Sequence, residues 1–452
     1  MEQGNVEQEV HMAWILNFVY GMILVASSPW LVWRAWRRGK NRRGWSAKLF
    51  GFIDRPAERK SRIWFHAVSV GEVNLLDPVL RKMHEQFPGW DHVISTTTET
   101  GYDLACKKYP QCQVFFCPID FTWAVRRVLH RLQPKLIVLA ELELWPNLLQ
   151  LAEQRGIPVA VVNGRLSERS ARGYQRFGWI ARRMFGCLSM VAAQTETYAE
   201  RFRKLGVPAD RIQITGNVKF DNASPERHRE TSRSLTALFG ISESETVLVG
   251  GSTQFEEDQM LVEAFERLQI EFPSLRLVLV PRHPQRVPEL KQFLRSKNLH
   301  ANFRSEFLDD NHRIASPTSR IIVVDVIGEL GAWWCRADLA YVGGSMGSRG
   351  GQNMIEPAAC GVPTSFGPRT ENFRDIVELL LRSEAAVVVR DQPEFESFAR
   401  RAMIDRTWAK QIGDRAQQLA INQQGASQQT VALLSTLVTQ SSRPIQLPSR
   451  AA

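Results

Sequence analysis

The chain has 452 residues, a formal net charge of +10, and 44% hydrophobic against 23% charged residues. That length exceeds what one hydrophobic core ordinarily serves, and the composition excludes a disordered or low-complexity chain. The positive excess points to a polyanionic neighbour: nucleic acid, anionic lipid or a phosphorylated substrate.

From Met12 to Trp33 no charged residue occurs, a run about as long as a bilayer-spanning helix requires. Glu2, Glu7 and Glu9 precede it, and Arg34, Arg37, Arg38, Lys40, Arg42 and Arg43 follow it. The positive-inside tendency would keep the remaining chain in the cytoplasm, with Trp14, Trp30, Trp33, Trp36 and Trp45 near the headgroups. Residues 1–45 are thus expected to form a single anchor and a basic segment against anionic lipid of the inner (cytoplasmic) membrane. Asn17, Ser27, Ser28 and Pro29 dilute the run, which leaves a helix lying in the interface open. The basic residues gather here and do not interleave with aromatics along a groove, so nucleic acid is not an expected partner.

Past Trp45 the pattern predicts strand Ile63–Val68, helix Val73–Glu85, strand His92–Thr97, helix Thr100–Tyr109, strand Val114–Phe116 and helix Ala124–Leu132. Strand Leu136–Ala140, helix Trp145–Arg155, strand Val159–Asn163, helix Gly173–Phe185, strand Met190–Ala193 and helix Glu196–Leu205 follow. Such alternation marks βαβ units on a parallel sheet. A polar stretch, Asp221–Ser234, interrupts it and reads as a linker. Strand Thr246–Gly250, helix Glu256–Glu271, strand Arg276–Val280, helix Arg286–Ser296 and strands Ile321–Val326 and Leu339–Val342 resume it, and Glu394 to about Val438 is helical. The expected division is a first domain over 46–225, a linker over 226–235, a second domain over 236–395, and terminal helices with a loose tail over 396–452. The fold class is α/β, with two Rossmann-like domains facing each other across a cleft.

The carboxyl ends of parallel strands are where ligands collect. After the first strand come Ser69, Gly71 and Glu72; Glu72 suits either a helix cap or a general base acting on a hydroxyl. Glu141 and Glu143 follow a buried run, where two charges are expensive unless ligand, water or a cation meets them. Glu143 is the better site candidate, and strand alternation would send Glu141 to the same side to orient it. Lys219, where the first domain ends, reads as a surface lysine or as a residue facing the cleft. In the second domain Ser252 and Thr253 follow one strand, and Arg282 and His283 follow another, where an arginine can clamp a phosphate bidentately. Gly328 and Glu329 open a helix, suited to base or ribose recognition or to simple capping. Gly344 and Ser345 end an apolar run, and Asn353 and Glu356 open the next helix. Amides at a positive helix end suit a nucleotide phosphate, and Glu356 suits ribose hydroxyls, although glycines equally serve plain turns. Six cysteines show no CxxC pair and read as buried free thiols. No HExxH, DxD or cysteine–histidine cluster supplies metal ligands, so a reaction without metal or other cofactor is expected.

As an ordered set, His66–Glu72, Glu141–Asn147, Asn163–Arg165, Gly216–Asp221, Gly251–Thr253, Pro281–Pro284, Gly328–Leu330, Gly343–Ser345 with Gly351–Pro357, and Asn372–Asp375 resemble the 3-deoxy-D-manno-octulosonic acid (Kdo) transferases of lipopolysaccharide synthesis. The resemblance implies a GT-B fold, CMP-Kdo as donor, lipid A precursor (lipid IVA) as acceptor, and an inverting, metal-independent transfer at the cytoplasmic membrane face. It implies Glu72 as base, Glu143 as the acid of the Glu-Leu-Trp-Pro motif, Asn163 as a substrate-binding residue, and Arg282, Gly328, Asn353 and Glu356 in CMP-binding loops. Gln254, Gln352 and Met354 depart from the family pattern. The competing readings are another sugar-nucleotide enzyme, such as a UDP-sugar glycosyltransferase or epimerase, and a non-enzymatic, membrane-tethered lipid-binding protein.

Overall fold

The computed structural model describes residues 14, 16–30, 33, 43–55, 60–307 and 319–441. The acidic residues before the apolar run, most of the basic cluster after it, and the tail expected beyond Ser441 lie outside these. The chain forms two units, one of Met1–Asn222 with Gln424–Ala452 and one of Ala223–Gln423.

The first unit carries strands β1 (Arg62–His66), β2 (Asp91–Thr96), β3 (Gln113–Phe116), β4 (Leu136–Ala140), β5 (Val159–Gly164), β6 (Met190–Ala193) and β7 (Ile212–Ile214). They pair in parallel in the order β3-β2-β1-β4-β5-β6-β7. Helices cover both faces of such a sheet, so its central strands are apolar throughout instead of alternating. The period-2 geometry then divides one strand between two cores: Trp64, Ile137 and Leu139 enter one layer, and Ile63, Phe65, Leu136 and Val138 the other. A terminal helix, Ala426–Ser441, completes the second layer with Val431, Leu434 and Val438. Burying each is worth about 1.5–3 kcal/mol. Its start is secured by Asp221, whose carboxylate accepts the Gly425 and Ser427 N–H groups.

The second unit carries β8 (Thr246–Thr253), β9 (Leu275–Pro281), β10 (Ala301–Phe303), β11 (Ile321–Val323), β12 (Leu339–Val342), β13 (Thr364–Phe366) and β14 (Val387–Val388). These are also all parallel, in the order β10-β11-β9-β8-β12-β13-β14. The sheet is covered by helices including Phe255–Glu271, Gln392–Ile404 and Arg406–Asn422. Gly251 is required by packing: a Cβ there would fall 2.3 Å from the Trp334 ring.

Several expectations are corrected. The helix predicted over Gly173–Phe185 is two, Glu168–Gln175 and Gly178–Gly186, broken at Gly178 with φ +47°. Within the polar stretch expected as a linker, Arg229–Leu238 is helical; its charged residues are one face of a helix that buries Ser232 and Leu235. Among the described residues no helix is long and apolar enough to cross a membrane, so the fold lends the single-span reading of the N-terminal run no support. Residues 16–30 are helical, and Asn17 and Tyr20 dock the helix on the rest of the first unit. Asn17 Nδ2 donates to Thr122 Oγ1 (2.8 Å), the Thr122 N–H donates to Asn17 Oδ1 (3.2 Å), and Tyr20 OH donates to Asp120 Oδ2 (3.3 Å). The rest of the helix exposes Phe18, Met22, Ile23, Val25 and Trp30.

Candidate functional site

In the first unit the strand order reverses between β1 and β4, and the residues following those two strands converge there, as expected at a topological switch point. After β1 the chain turns through Ser69 into helix Val70–Leu75. Glu72 folds back on that turn: the Val68 N–H donates to its Oε2 (2.8 Å) and Ser69 Oγ to its Oε1 (3.0 Å). The capping reading of this residue therefore holds, and the groups that make Glu72 a capping carboxylate also fix its direction. Burial pushes its pKa above the ordinary value, with Glu141 adding to the rise, while the hydrogen bonds from Val68 and Ser69 and the Lys219 charge oppose it. A Cβ on Gly71 would approach only Ser69 Oγ, at 3.8 Å. The fold itself leaves room beside Glu72.

After β4, Glu141 adopts φ +56°, which ends strand alternation and corrects the expectation that it and Glu143 simply share a strand face. Lys219 Nζ meets Glu141 Oε1 at 3.2 Å, so this lysine is paired and not free. Its loop is held by Asn163, a fully buried side chain whose Oδ1 accepts the Val218 N–H (2.9 Å). Asn163 thus shapes the site from beneath. Glu143 is pushed up to about 7 by burial and by the neighbouring Glu72 and Glu141 charges. A carboxyl group with that pKa exchanges protons near neutrality, which suits acid or base work.

In the second unit the switch point lies between β8 and β12. A register shift at Gly251–Thr253 bends the end of β8, where Ser252 takes φ +55°, and the Thr253 carbonyl accepts the Arg282 N–H (3.0 Å). Arg282 and His283 follow β9. His283 Nε2 accepts from Arg349 Nη2 at 2.5 Å, and partial burial together with Arg349, Arg282 and Arg286 holds its pKa below the usual value. A neutral imidazole among three guanidiniums forms a strongly positive patch, fitted to phosphate oxygens. Asn353 Nδ2 donates to Glu356 Oε1 (2.9 Å), while the Ile355 N–H donates to Asn353 Oδ1 (3.1 Å). Burial raises the Glu356 pKa, opposed by Asn353 and the Arg282 charge. This carboxylate is an acceptor placed beside the positive patch.

The glycine loop is arranged differently from expectation. The N–H groups of Gly344 (2.7 Å), Ser345 (2.9 Å) and Met346 (3.0 Å) donate to the buried Glu257 carboxylate, so they do not form a phosphate cradle. Glu257 also accepts from Tyr341 OH and the Gln254 N–H. The Gln254–Glu257 capping box is legible in sequence; its reach to residues 344–346 is tertiary and is not. Gly328, with φ +106°, and Glu329 lie after β11, where Glu329 pairs with Arg304 at 3.0 Å and serves the helix start Leu330–Arg336. That engages Glu329 structurally. Sequence reasoning also missed Arg349, which completes the positive patch, and Asp120, which caps helix Pro146–Glu153 through the Asn147 and Leu148 N–H groups.

Two doubly wound, all-parallel α/β units, each with a polar cluster at its switch point, define a GT-B-like fold. A UDP-GlcNAc 2-epimerase from Neisseria meningitidis, solved with UDP-GlcNAc, shares this fold with a TM-score of 0.58 at 13% identity, covering 83% of this chain and all 100% of that one. A family model described as 3-deoxy-D-manno-octulosonic-acid transferase (kdotransferase) matches residues 42–222. A 3-deoxy-D-manno-octulosonic acid transferase of Haemophilus influenzae is 30% identical over 375 residues, 82% of this chain and 86% of that protein. One of Bordetella pertussis is 31% identical over 429 residues, 91% of this chain and 97% of that protein. The chain belongs to the Kdo transferase family and is a glycosyltransferase.

Proposed function

We propose that this enzyme moves Kdo from CMP-Kdo to a lipid A precursor, lipid IVA, by an inverting, metal-independent transfer in lipopolysaccharide core synthesis. The carrying observation is the set of carboxylates at the first unit's switch point, in which Glu72 is fixed by Val68 and Ser69 beside Glu141, Glu143 and Lys219. Departure of CMP leaves positive character at the anomeric carbon of the keto-sugar. Glu72 takes the proton from the attacking lipid hydroxyl on the opposite face, and Glu143 tunes its charge and orients the hydroxyl. Ser69, Gly71, Asn163 and Lys219 shape the acceptor side.

The second unit holds the donor in this reading. Arg282, with His283 and Arg349, stabilises the departing phosphate; Asn353 and Glu356 bind the cytidine ribose. Ser252, Thr253, Gly344 and Ser345 form the loop walls, and Gly328 and Glu329 flank the base. The acceptor is a lipid, and the exposed apolar residues of the N-terminal helix suit the surface of an anionic inner membrane, with the catalytic body on its cytoplasmic side. CMP-Kdo should raise the melting temperature of the full chain where UDP-sugars do not. Equal protection by a UDP-sugar, or no Kdo transfer to lipid IVA, overturns the reading.

A further inference from the structure

Helix Pro146–Glu153 begins without a cap of its own: Trp145, its N-cap residue, supplies no side-chain acceptor. The missing acceptor comes from another loop. Asp120, 1% exposed, accepts the Asn147 N–H at Oδ2 (2.8 Å) and the Leu148 N–H at Oδ1 (2.9 Å), and its backbone carbonyl accepts from Asn147 Nδ2. A buried carboxylate persists only when such donors meet it. The segment from Glu141 to Trp145 is therefore tied at both ends, by β4 before it and by Asp120 after it, and Glu143 lies between.

Asp120 is in turn held by the N-terminal helix. Tyr20 OH donates to the oxygen that accepts the Asn147 N–H, and the Tyr20 ring packs edge-on against Phe121. Asn17 Oδ1 accepts from Asn147 Nδ2 (3.5 Å) and from the Thr122 N–H, while its Nδ2 donates to Thr122 Oγ1. Asn147 is thus gripped between Asp120 and Asn17. We propose that Asp120 is a positioning residue through which the polar face of the N-terminal helix fixes the loop that carries Glu143. The proposal rests on the reading of Glu143 given above. It makes full turnover depend on the docked state of a helix whose opposite face is apolar and exposed.

The test uses the full chain, with Kdo transfer from CMP-Kdo to lipid IVA measured alongside hydrogen exchange of the peptide spanning 141–149. Tyr20→Phe removes one hydroxyl and keeps the ring. It should speed exchange in 141–149 and lower kcat several-fold, with the KM for CMP-Kdo unchanged within about twofold. Asp120→Asn should lower kcat on the order of 100-fold, the scale of a misplaced catalytic group. The double variant should fall no further than Asp120→Asn alone, because both act through one link. Unchanged exchange at 141–149 in Tyr20→Phe, or additive losses in the double variant, overturns the proposal. Should the wild type transfer no Kdo, the functional reading fails, and the exchange experiment still decides whether the N-terminal helix fixes this loop.

Discussion

Glu257→Gln preserves side-chain volume and removes one acceptor from the most heavily used carboxylate of the second unit. Oε2 accepts the Gln254 (2.8 Å) and Gly344 (2.7 Å) N–H groups, and Oε1 accepts the Ser345 (2.9 Å) and Met346 (3.0 Å) N–H groups and Tyr341 OH (3.1 Å). Whichever way the amide is turned, its NH2 faces at least two backbone donors. Each buried donor left unmatched costs about 1–3 kcal/mol, so the loop loses about 2–6 kcal/mol, less the desolvation of a charge no longer buried. Local opening should become about 30-fold or more frequent, from about 2 kcal/mol at about 1.4 kcal/mol per tenfold. Hydrogen exchange of the peptide containing 344–346 reads this directly, and CMP binding should weaken with it. Exchange within about twofold of wild type, under conditions where exchange reports opening free energy, would refute the clamp.

The raised pKa of Glu143, from 4.5 to about 7, means that folding favours its protonated form. Its contribution is fully present below the unfolded value and is lost as pH rises through about 7. Glu143→Gln should therefore flatten the fall in melting temperature between about pH 5 and pH 8; an unchanged slope would remove Glu143 as its source. Gly413→Ala should destabilise the second unit although alanine is the better helix former by about 1 kcal/mol. The new Cβ would lie 2.1 Å from the Gly361 carbonyl oxygen, and such overpacking costs about 1–3 kcal/mol. A higher denaturation midpoint would show that helix Arg406–Asn422 yields without loss.

The central strands were legible because a doubly covered parallel sheet demands continuous apolar runs, and Leu136–Ala140 and Met190–Ala193 match the prediction residue for residue. Strands β7, β10, β13 and β14 were not, since each has three residues or fewer and no period emerges over that length. Glu72, Glu143 and Arg282 stood out because charge at the end of an apolar strand is a local signal, and Glu356 because it follows a glycine-rich turn into a helix. Glu257, Asp120 and Arg349 escaped because their meaning lies in partners far away in the chain, as with Glu257 and residues 344–346. The docking of the N-terminal run escaped for a related reason. Hydropathy averages over a window, whereas Asn17 and Tyr20 are the polar contacts by which that helix docks.

The most direct measurement is the mass of the lipid recovered after the purified full chain, as wild type and as Glu72→Gln, is incubated with CMP-Kdo and lipid IVA. The wild type should add Kdo, and transfer should fall about 100-fold or more in the variant while its CMP-Kdo affinity stays near wild type. Comparable Kdo addition by Glu72→Gln would contradict it.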